Sequence, residues 1–555
     1  MSRQAQSGRI FPHQRAADFH GPLLGSGLQL DRRFTTQTHS TEQFGISIDT
    51  KRKHRNTIKK IYNFWEAECP DYAAVGVKLL TQEELDDPTM YWWRNKKDIV
   101  YTGLNPSFLK AFVSSTVMKS NGKQMGYDMV RKNFDAVQWG AKEALKMLPV
   151  DFYVQKDKFL LAYGKQVAKA RGNGDVDESE ADPIPKDLYF HMNHWAILEG
   201  NVHVWSWTTM QWNLIGRCAN VEVLAFHNFQ VFQDSIRVTY DVNKKDALGK
   251  KVTLKNLYAN PLNPAVCCYT SLAVYLSVNR GRYGKSESIF QRSKGMENRV
   301  AAQGYCSQLK AILLRNVDVV KTFVRVDHAN AYGLRKGGAT YATNGTTCPP
   351  DTSIVCERAE WSMSKVLDCY LHFAHAGDCY LGRVLACLDA MKPNFNVLPP
   401  HFSVVNPLER KEVLEAMECM YGPIMDRWAG EPGNDPTCLL LRLLASVVFP
   451  FDWLKKIAST RTDHEFHSIP LMFRPELVSS LKKIITIHPS VVIAEPTGIP
   501  PHVDHILKIQ VLLGICNQIL SKVNSQMTDI KAVSLFLNLY MYFNLCLTNL
   551  FNFVF

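Results

Sequence analysis

The chain has 555 residues, of which 46% are hydrophobic and 21% charged, and its formal net charge is +12. These percentages are ordinary for a globular protein. A chain of this length is too long to form one ordinary hydrophobic core, so two to four domains are expected. The basic balance favours an anionic partner, but it does not choose among DNA, RNA and a membrane surface. Charge alone leaves a generic basic protein and a nucleic-acid-binding protein about equally supported.

Fourteen cysteines are scattered along the chain without a CxxC pair or a Cys/His zinc spacing. This pattern predicts reduced thiols in an intracellular protein, with no structural metal and no cofactor. The amino-terminal residues lack the charged-then-apolar pattern of a signal peptide.

The first part of the chain divides by composition. Residues 1–49 are polar and without a period, which predicts a disordered tail. The basic run 51–55 that follows fits a phosphate contact, a nuclear address or a solvated helix start. Residues 50–170 predict a helical domain with a basic outer face, and residues 171–186 an acidic linker. The clearest helix is amphipathic, with an apolar stripe at Tyr127, Val130, Phe134, Val137, Ala141 and Ala144.

The next part, residues 187–395, is mostly helical and interrupted once by a strand pattern. Ile236, Val238 and Tyr240 alternate with polar residues, and residues 252–258 form the expected return strand. The turn between them places Lys244 near the tip of a β-hairpin. The predicted fold class is therefore mainly α with a small β-hairpin or sheet, an α+β arrangement.

Two carboxy-terminal regions carry no recognisable chemistry. Residues 396–530 predict a helical accessory region, and residues 531–555 an apolar extension. The extension is long enough to span a bilayer, but four asparagines interrupt it, and each would need a partner in lipid. A buried amphipathic helix or an atypical terminal extension is therefore favoured over a membrane anchor.

The stretch from Ala331 to Tyr370 holds the strongest candidate site. Arg335 and Lys336 stand beside two glycines at the start of a predicted helix, where free N–H groups and the helix dipole favour an anion. Trp361 and Tyr370 follow on a second predicted helical stretch. The pattern suggests a phosphate held for attack by a phenolic oxygen.

Residues elsewhere complete this chemistry. Arg217 lies in an otherwise apolar predicted helix, where an unpaired guanidinium is costly. Two arginines can clamp one phosphodiester and stabilise its transition state, while a lysine protonates the leaving oxygen, so no metal is needed. Each residue also has a structural explanation: Arg217 could pair with Glu222, Lys244 could be an ordinary hairpin charge, and Tyr370 a core aromatic.

The order and spacing of these residues resemble the tyrosine recombinases, which break and rejoin DNA. Residues 188–388 are similar to that catalytic domain, and most similar to the recombinases of Crypton-type eukaryotic mobile elements. The resemblance rests on NLIGRCANVEVL, VNKKDALG, AYGLRKGGAT and EWSMSKVLDCY. It implies a catalytic set made of Arg217, Lys244, Tyr332, Arg335, Trp361 and the nucleophile Tyr370, with Tyr380 as a fallback nucleophile.

The resemblance implies more than a site. It implies that residues 50–170 are a core-binding domain that clamps double-stranded DNA, and that the chain acts as a homodimer or homotetramer in the nucleus. The implied activity is metal-independent, site-specific cleavage and rejoining through a 3′-phosphotyrosine, for integration or excision of a mobile element.

One position departs from the family pattern. Most members have histidine three residues before the second arginine, whereas this chain has Tyr332, and a phenol is a poor proton shuttle near neutral pH. His328 is nearby in sequence, but the sequence gives no reason for it to substitute. Tyr332 favours one alternative, a non-catalytic or domesticated DNA-binding descendant. A second alternative is a relative of the type IB topoisomerases, a class that shares the same set of residues.

Overall fold

The structure is a computed structural model. The structure describes residues 48–68, 77–79, 97–99, 104, 106–118, 122–143, 147–173, 176–177, 181–240, 254–283, 288–291, 301–363, 375–403, 406–428, 436–526 and 538–545. Two predicted site residues, Lys244 and Tyr370, and residues 1–47 of the predicted tail lie outside these ranges. Helix starts at Ile48, slightly before the predicted end of the tail.

The chain forms two compact units, Met1–Ser179 and Glu180–Phe555. The division lies within the stretch 171–186 that the sequence predicts as a linker. Both ends of that stretch are helical, because one helix extends to Gly172 and the next begins at Lys186.

Where the structure describes it, the first unit combines four helices with two short strand pairs. The helices are α1 (Ile48–Glu68), α2 (Pro106–Ser115), α3 (Tyr127–Glu143) and α4 (Val150–Gly172). The strands are β1 (Val77–Leu79), β2 (Lys97–Ile99), β3 (Gln124–Met125) and β4 (Val176–Asp177). β1 pairs with β2 antiparallel, and β3 pairs with β4 parallel. The helical prediction missed these strands, because two or three residues are too few to show a period of two.

The apolar stripe of α3 is the centre of the first unit. Val130, Phe134, Val137 and Ala141 are buried, as the sequence period predicts. They share one core with apolar residues of the other helices, including Ile58, Ile61, Phe112, Val113, Phe152, Leu160 and Tyr163. α2 begins at Pro106, where proline's fixed φ suits a first helical position.

The second unit is mainly helical with a small antiparallel sheet. Its helices before residue 390 are α5 (Lys186–Leu198), α6 (Val202–Leu214), α7 (Cys218–Glu222), α8 (Cys268–Val278), α9 (Ala301–Arg315), α10 (Val317–Val320), α11 (Ala331–Asn344), α12 (Thr352–Arg358) and α13 (His375–Leu385). Its later helices are α14 (Pro407–Trp428), α15 (Thr437–Val448), α16 (Phe451–Ala458), α17 (Pro475–Lys483) and α18 (Pro501–Gln526). Residues 538–545 are also helical.

Helix α6 is the central element of the second unit, and all of its residues are buried. Such a helix cannot show an amphipathic stripe, because every face meets protein. Its polar side chains therefore need internal partners. Thr209 Oγ1 lies 2.6 Å from Ser271 Oγ of α8, and Gln211 Nε2 donates to the Ala331 carbonyl, 2.7 Å away, at the start of α11.

The sheet consists of β5 (Phe229–Phe232), β6 (Ser235–Val238) and β7 (Lys255–Leu257), in the order β5-β6-β7. β6 and β7 are antiparallel, with Ile236 opposite Leu257 and Val238 opposite Lys255. The predicted pairing of these two segments is confirmed. β5 adds a strand through a tight turn at Gln233, which has a left-handed φ of 45°.

The second unit continues past residue 395 without a break in its core. α8 and α15 contribute buried residues to the same hydrophobic cluster, as do residues of α14 and α17. Thr270 of α8 donates from Oγ1 to the Ser446 carbonyl of α15, over 3.2 Å. A short strand pair, β8 (His401–Phe402) with β9 (Ile485–Thr486), links both ends of this later region.

Helix α18 is the one described helix that is both long and apolar enough to cross a membrane by itself. The stretch Pro501–Asn524 has a mean hydropathy of 1.4, and 6% of it is buried. Val503 and Leu507 at its start pack into a core cluster of the second unit. One such helix is weak support for a membrane span, and the pair α15 and α16, bent by 66°, lies largely in the core.

Candidate active site

The carboxyl end of α6 places Arg217. The helix stops because Ile215 adopts a left-handed φ of 47°, and Gly216 follows. Arg217 then begins the short helix α7 from an extended conformation. The prediction that Arg217 lies within an apolar helix is therefore wrong: a left-handed isoleucine, which sequence propensity disfavours, ends the helix first. The side chain is 24% exposed.

Asn330 determines how α11 begins. Its side chain accepts from the backbone amides of Tyr332 and Gly333 at 2.9 and 3.4 Å. These are the amides that an anion at the helix start would use. The predicted cradle of free N–H groups is therefore wrong, because an asparagine cap already occupies it.

Arg335 instead lies one turn further along α11 and points inward. It is 2% exposed. Its Nη1 donates to the Ile215 carbonyl at 2.6 Å, and its Nη2 donates to the Ala359 carbonyl. A guanidinium has five N–H donors, so these contacts leave three. The buried Nε has no hydrogen-bond partner among the described residues.

The two glycines after Arg335 serve helix packing. A Cβ at Gly337 would collide with the Ile184 carbonyl, and one at Gly338 would lie 3.2 Å from the Trp212 carbonyl. Glycine at both positions therefore lets α11 approach α6 and the segment before α5 closely. This approach brings Arg335 to the end of α6.

Three successive residues after α12 contact the basic side chains. The Ala359 carbonyl accepts from Arg335. The Glu360 carboxylate lies 3.6 Å from Arg217 Nη1, and the Trp361 ring centre lies 5.5 Å from the Arg335 guanidinium carbon. Trp361 was predicted on a helix, but α12 ends at Arg358, and Glu360 has a left-handed φ of 56°.

Arg358, the last residue of α12, holds residues 359–361 in place through buried contacts. It is 1% exposed, and its guanidinium donates to the Asn213 carbonyl, the Asn256 carbonyl and the Asp378 carboxylate at 3.1, 2.8 and 2.8 Å. It thus ties the end of α12 to α6, β7 and α13. Bidentate and multidentate arginine contacts of this kind hold a geometry rigidly.

Lys255 of β7 is a member of the site that the sequence did not reveal. It is 1% exposed, and its Nζ lies 3.0 Å from Glu360 Oε1 and 4.2 Å from the Tyr240 ring centre. Burial lowers the pKa of Lys255, and Glu360 opposes that shift. Burial, then the charge of Glu360, raises the pKa of Tyr240. A lysine within a strand of otherwise buried residues was the available signal.

The site has an excess of positive charge. Arg217 and Lys255 both pair with one carboxylate, Glu360, and Arg335 lies beside them, so these four side chains carry a net charge of +2. Burial, followed by the charge of Arg217, lowers the pKa of Arg335 to about 10, so it stays protonated at neutral pH. We call these four residues the cation cluster. Its excess charge and the spare donors of Arg335 suit an anion.

The remaining predicted residues have different surroundings. Tyr332 is 50% exposed, and its ring centre lies 5.9 Å from Lys336 Nζ. His328 Nδ1 lies 3.7 Å from Asp182 Oδ1, in the loop before α11. Glu222 Oε1 accepts from the Ala302 amide at 3.1 Å, so the ion pair made by Arg217 is with Glu360 and the proposed pair with Glu222 is wrong.

Tyr380, the fallback nucleophile, is a core residue. It is 7% exposed in α13, packs near Phe395 and donates from its hydroxyl to the Cys348 carbonyl. Burial raises its pKa, which opposes formation of a phenolate. These surroundings do not suit a nucleophile that must reach DNA.

Comparison with models of known protein families gives no match for this chain, and neither does comparison with curated proteins.

Proposed function

We propose that this chain is a DNA strand-breaking and rejoining enzyme of the tyrosine-recombinase type. The observation that carries the proposal is the cation cluster, in which Arg217 and Arg335 come from separate segments and contact two adjacent residues, Glu360 and Ala359. Trp361 stands beside Arg335, and Tyr370 follows Trp361 by nine residues. That interval equals the usual one in the family this sequence resembles.

The proposed chemistry uses only protein groups. Arg217 and the spare donors of Arg335 bind the non-bridging oxygens of the scissile phosphate and offset the charge that grows in the transition state. The phenolic oxygen of Tyr370 attacks phosphorus as its proton leaves to solvent, and the bond to the 5′ oxygen breaks. Lys244 protonates that oxygen. Attack by a 5′-hydroxyl on the phosphotyrosine reverses the step and rejoins the strand.

Lys255 and Glu360 have a positioning role in this proposal. Lys255 already forms an ion pair with Glu360, so it holds that carboxylate and does not bind the phosphate directly. Glu360 in turn orients Arg217 through its other oxygen. When DNA binds, Arg217 releases its 3.6 Å contact with the Glu360 carboxylate and contacts the phosphate instead.

The proposal extends to partners and location. Double-stranded DNA is the substrate, and a dimer or tetramer assembles on it in the nucleus to integrate or excise a mobile element. The first unit serves as the other half of a clamp. In support, α1 carries the basic run that begins at Lys51, and α3 carries Arg131 and Lys132 outside its buried stripe.

A second candidate is a DNA-binding descendant without cleavage activity. Tyr332 favours it, because a half-exposed phenol stands where the resembled family has a proton-transferring histidine. Tyr332→His separates the cases. A gain in cleavage would identify a lost catalytic group, and a loss would identify Tyr332 as a working variant.

The test is formation of a covalent protein–DNA adduct. The probe is a set of nicked duplexes covering the genomic flanks of the coding region, since the nick traps the adduct by releasing the broken strand. We expect wild type and Tyr380→Phe to form adducts and Tyr370→Phe to form none. No adduct with wild-type protein on any flank, despite DNA binding, favours the non-catalytic descendant.

A second measurement distinguishes the recombinase from a topoisomerase. Two labelled duplexes with matching sites are incubated with the protein, and exchange between them is compared with relaxation of a supercoiled circle. Strand exchange is expected. Relaxation without exchange would assign the chain to the topoisomerase class instead.

A further inference from the structure

Two thiols lie beside the cation cluster. Cys218 directly follows Arg217 at the start of α7, and Cys306 lies on α9, 88 residues later in the chain. Their sulfur atoms are 4.0 Å apart. Cys306 is exposed, whereas Cys218 is half-buried and also lies 3.6 Å from Gln211 Oε1.

Both thiols line one cavity of about 510 Å³. Tyr332 and Asn330 at the start of α11 line it too, together with Lys310 of α9, Asp327 and apolar residues. One water occupies about 30 Å³ of liquid, so a small oxidant of peroxide size fits beside the sulfurs.

The surroundings give the two thiols different chemical characters. The exposed sulfur of Cys306 is the better solvated as a thiolate, and its contact with the Cys218 sulfur lowers the pKa of Cys306. The hydrogen bond with Cys306, then burial, raises the pKa of Cys218. Because the thiolate is the nucleophile, Cys306 is the one that attacks first.

We propose that Cys306 is a peroxide-reactive thiol and that Cys218 resolves its oxidised form into a Cys218–Cys306 disulfide. In the first step the Cys306 thiolate attacks hydrogen peroxide, an S–O bond forms, the O–O bond breaks, and the departing hydroxide takes a proton to become water. In the second step Cys218, having lost its proton to solvent, attacks the Cys306 sulfur. The S–S bond forms, the S–O bond breaks and a second water leaves. The two sulfurs together supply the two electrons that reduce the peroxide.

The disulfide requires the sulfur atoms to move from 4.0 Å to about 2.05 Å apart. Cys218 can supply this movement, because α7 has only five residues and Arg217 before it is extended. The movement draws the backbone of Arg217 toward α9. A shift of about 1 Å in a catalytic group can cost about 100-fold in rate. The disulfide itself is independent of the proposed function, whereas its effect on cleavage rests on it.

Peptide mapping of the full-length protein tests the disulfide. Protein treated with hydrogen peroxide is alkylated, digested without reduction and examined by mass spectrometry. We expect a peptide linked through Cys218 and Cys306 that disappears on reduction. In Cys218→Ser, we expect Cys306 to stop at the sulfenic acid and to be trapped by dimedone.

Cys438, an exposed cysteine on α15, provides the matched control. Cys438→Ser should leave the linked peptide unchanged. In Cys218→Ser treated with peroxide, dimedone labelling of Cys438 should be at least 10-fold slower than labelling of Cys306. Equal labelling of both cysteines, or no linked Cys218–Cys306 peptide in wild-type protein, would overturn the proposal. The linked peptide is measured in wild-type protein, so this test does not depend on how well a serine variant folds.

Adduct formation by reduced and oxidised wild type then tests the effect on Arg217. We expect oxidation to lower the rate at least 10-fold and a reducing agent to restore it. If the disulfide is mapped but the rate of adduct formation is unchanged, the disulfide does not displace Arg217. If reduced protein forms no adduct but the disulfide appears, the proposed function fails and the disulfide stands.

Discussion

Arg131 in the first unit and Arg335 in the second are both helical arginines, yet their environments are opposite. Arg131 is 50% exposed, with Asp128 and Asp135 at 3.5 and 3.6 Å along α3. Arg335 is 2% exposed and is held by two backbone carbonyls. Exposed ion pairs contribute about 0–1 kcal/mol, whereas a buried charge carries a desolvation cost of several kcal/mol.

The comparison separates two uses of positive charge. Arg131 fits a surface that meets phosphates by general attraction, and its loss is easily tolerated. Arg335 is kept charged inside the protein beside a second arginine, and the single carboxylate of Glu360 offsets only part of that positive charge. The predictions below test that difference, beginning with the largest effect.

Replacement of Arg335 is expected to have the largest effect. Arg335→Ala removes donors from the scissile phosphate, and we expect adduct formation to slow by about 1,000-fold, the loss typical of one oxyanion-stabilising group. DNA affinity should change by less than about threefold, since binding is spread over many phosphates. Single-turnover adduct assays and equilibrium binding measure the two quantities.

Arg335→Lys is the matched control for charge. It keeps the positive charge but cannot reach both the Ile215 and Ala359 carbonyls, so we expect it to be nearly as slow as the alanine variant. Thermal melting identifies any variant that is merely unfolded. Equal losses of binding and cleavage in folded protein would assign Arg335 a structural role.

The buried pair of Lys255 and Glu360 predicts the next largest effect. Glu360→Ala leaves Lys255 enclosed without its carboxylate, and we expect a loss of about 3 kcal/mol in the free energy of unfolding. Lys255→Met alone should cost less, because methionine fills the space without a charge. Urea unfolding of both single variants and the double variant completes a thermodynamic cycle. Additive losses would show that the two groups do not stabilise each other.

His203 predicts a pH effect confined to the second unit. Burial lowers its pKa to about 4, and it lies among the rings of Trp207, Tyr275 and Phe290. Because the folded pKa is below the unfolded value of about 6.5, the unfolded state binds the proton first and stability falls as pH drops below 6.5. We expect a loss of about 2 kcal/mol between pH 7 and pH 5.

His203→Phe should remove most of that loss in urea unfolding at the two pH values. The control is His54 of α1, which stacks on Trp139 and is far less enclosed, so His54→Phe should change the pH dependence less. An unaltered pH dependence in a folded His203→Phe variant would contradict the assignment to His203.

Arg131→Ala is expected to have the smallest effect. Its two surface pairs predict a change of about 0.5 kcal/mol or less in unfolding free energy. If the proposed clamp uses α3, the slope of log affinity against log salt should become shallower by about 0.9, the value of one phosphate contact. An unchanged slope would remove Arg131 from the DNA interface.

Local sequence patterns predicted the elements whose structure depends mainly on neighbouring residues. The buried stripe of α3, the start of α2 at Pro106 and the pairing of β6 with β7 follow from periodicity and backbone restriction. Strands of two or three residues were missed because they are too short to show a period.

The site was only partly predictable, for a different reason. Arg217, Arg335 and Trp361 could be named from motif spacing, and the structure brings them together. Lys255 and Glu360 could not be paired, because 105 residues separate them and only the fold joins them. The sequence predicted the helix start but not that the Asn330 side chain accepts from the first amides.

The central claim is that Arg217 and Arg335 neutralise one scissile phosphate. A duplex with a methylphosphonate at that position tests it most directly, because a neutral methyl group replaces a charged oxygen and removes the need for an arginine. We predict that Arg335→Ala, slowed about 1,000-fold on the phosphate duplex, forms the adduct much faster on the methylphosphonate duplex, while Tyr370→Phe forms it on neither. Inactivity of folded Arg335→Ala on both duplexes, with wild type active on the phosphate, would contradict the claim.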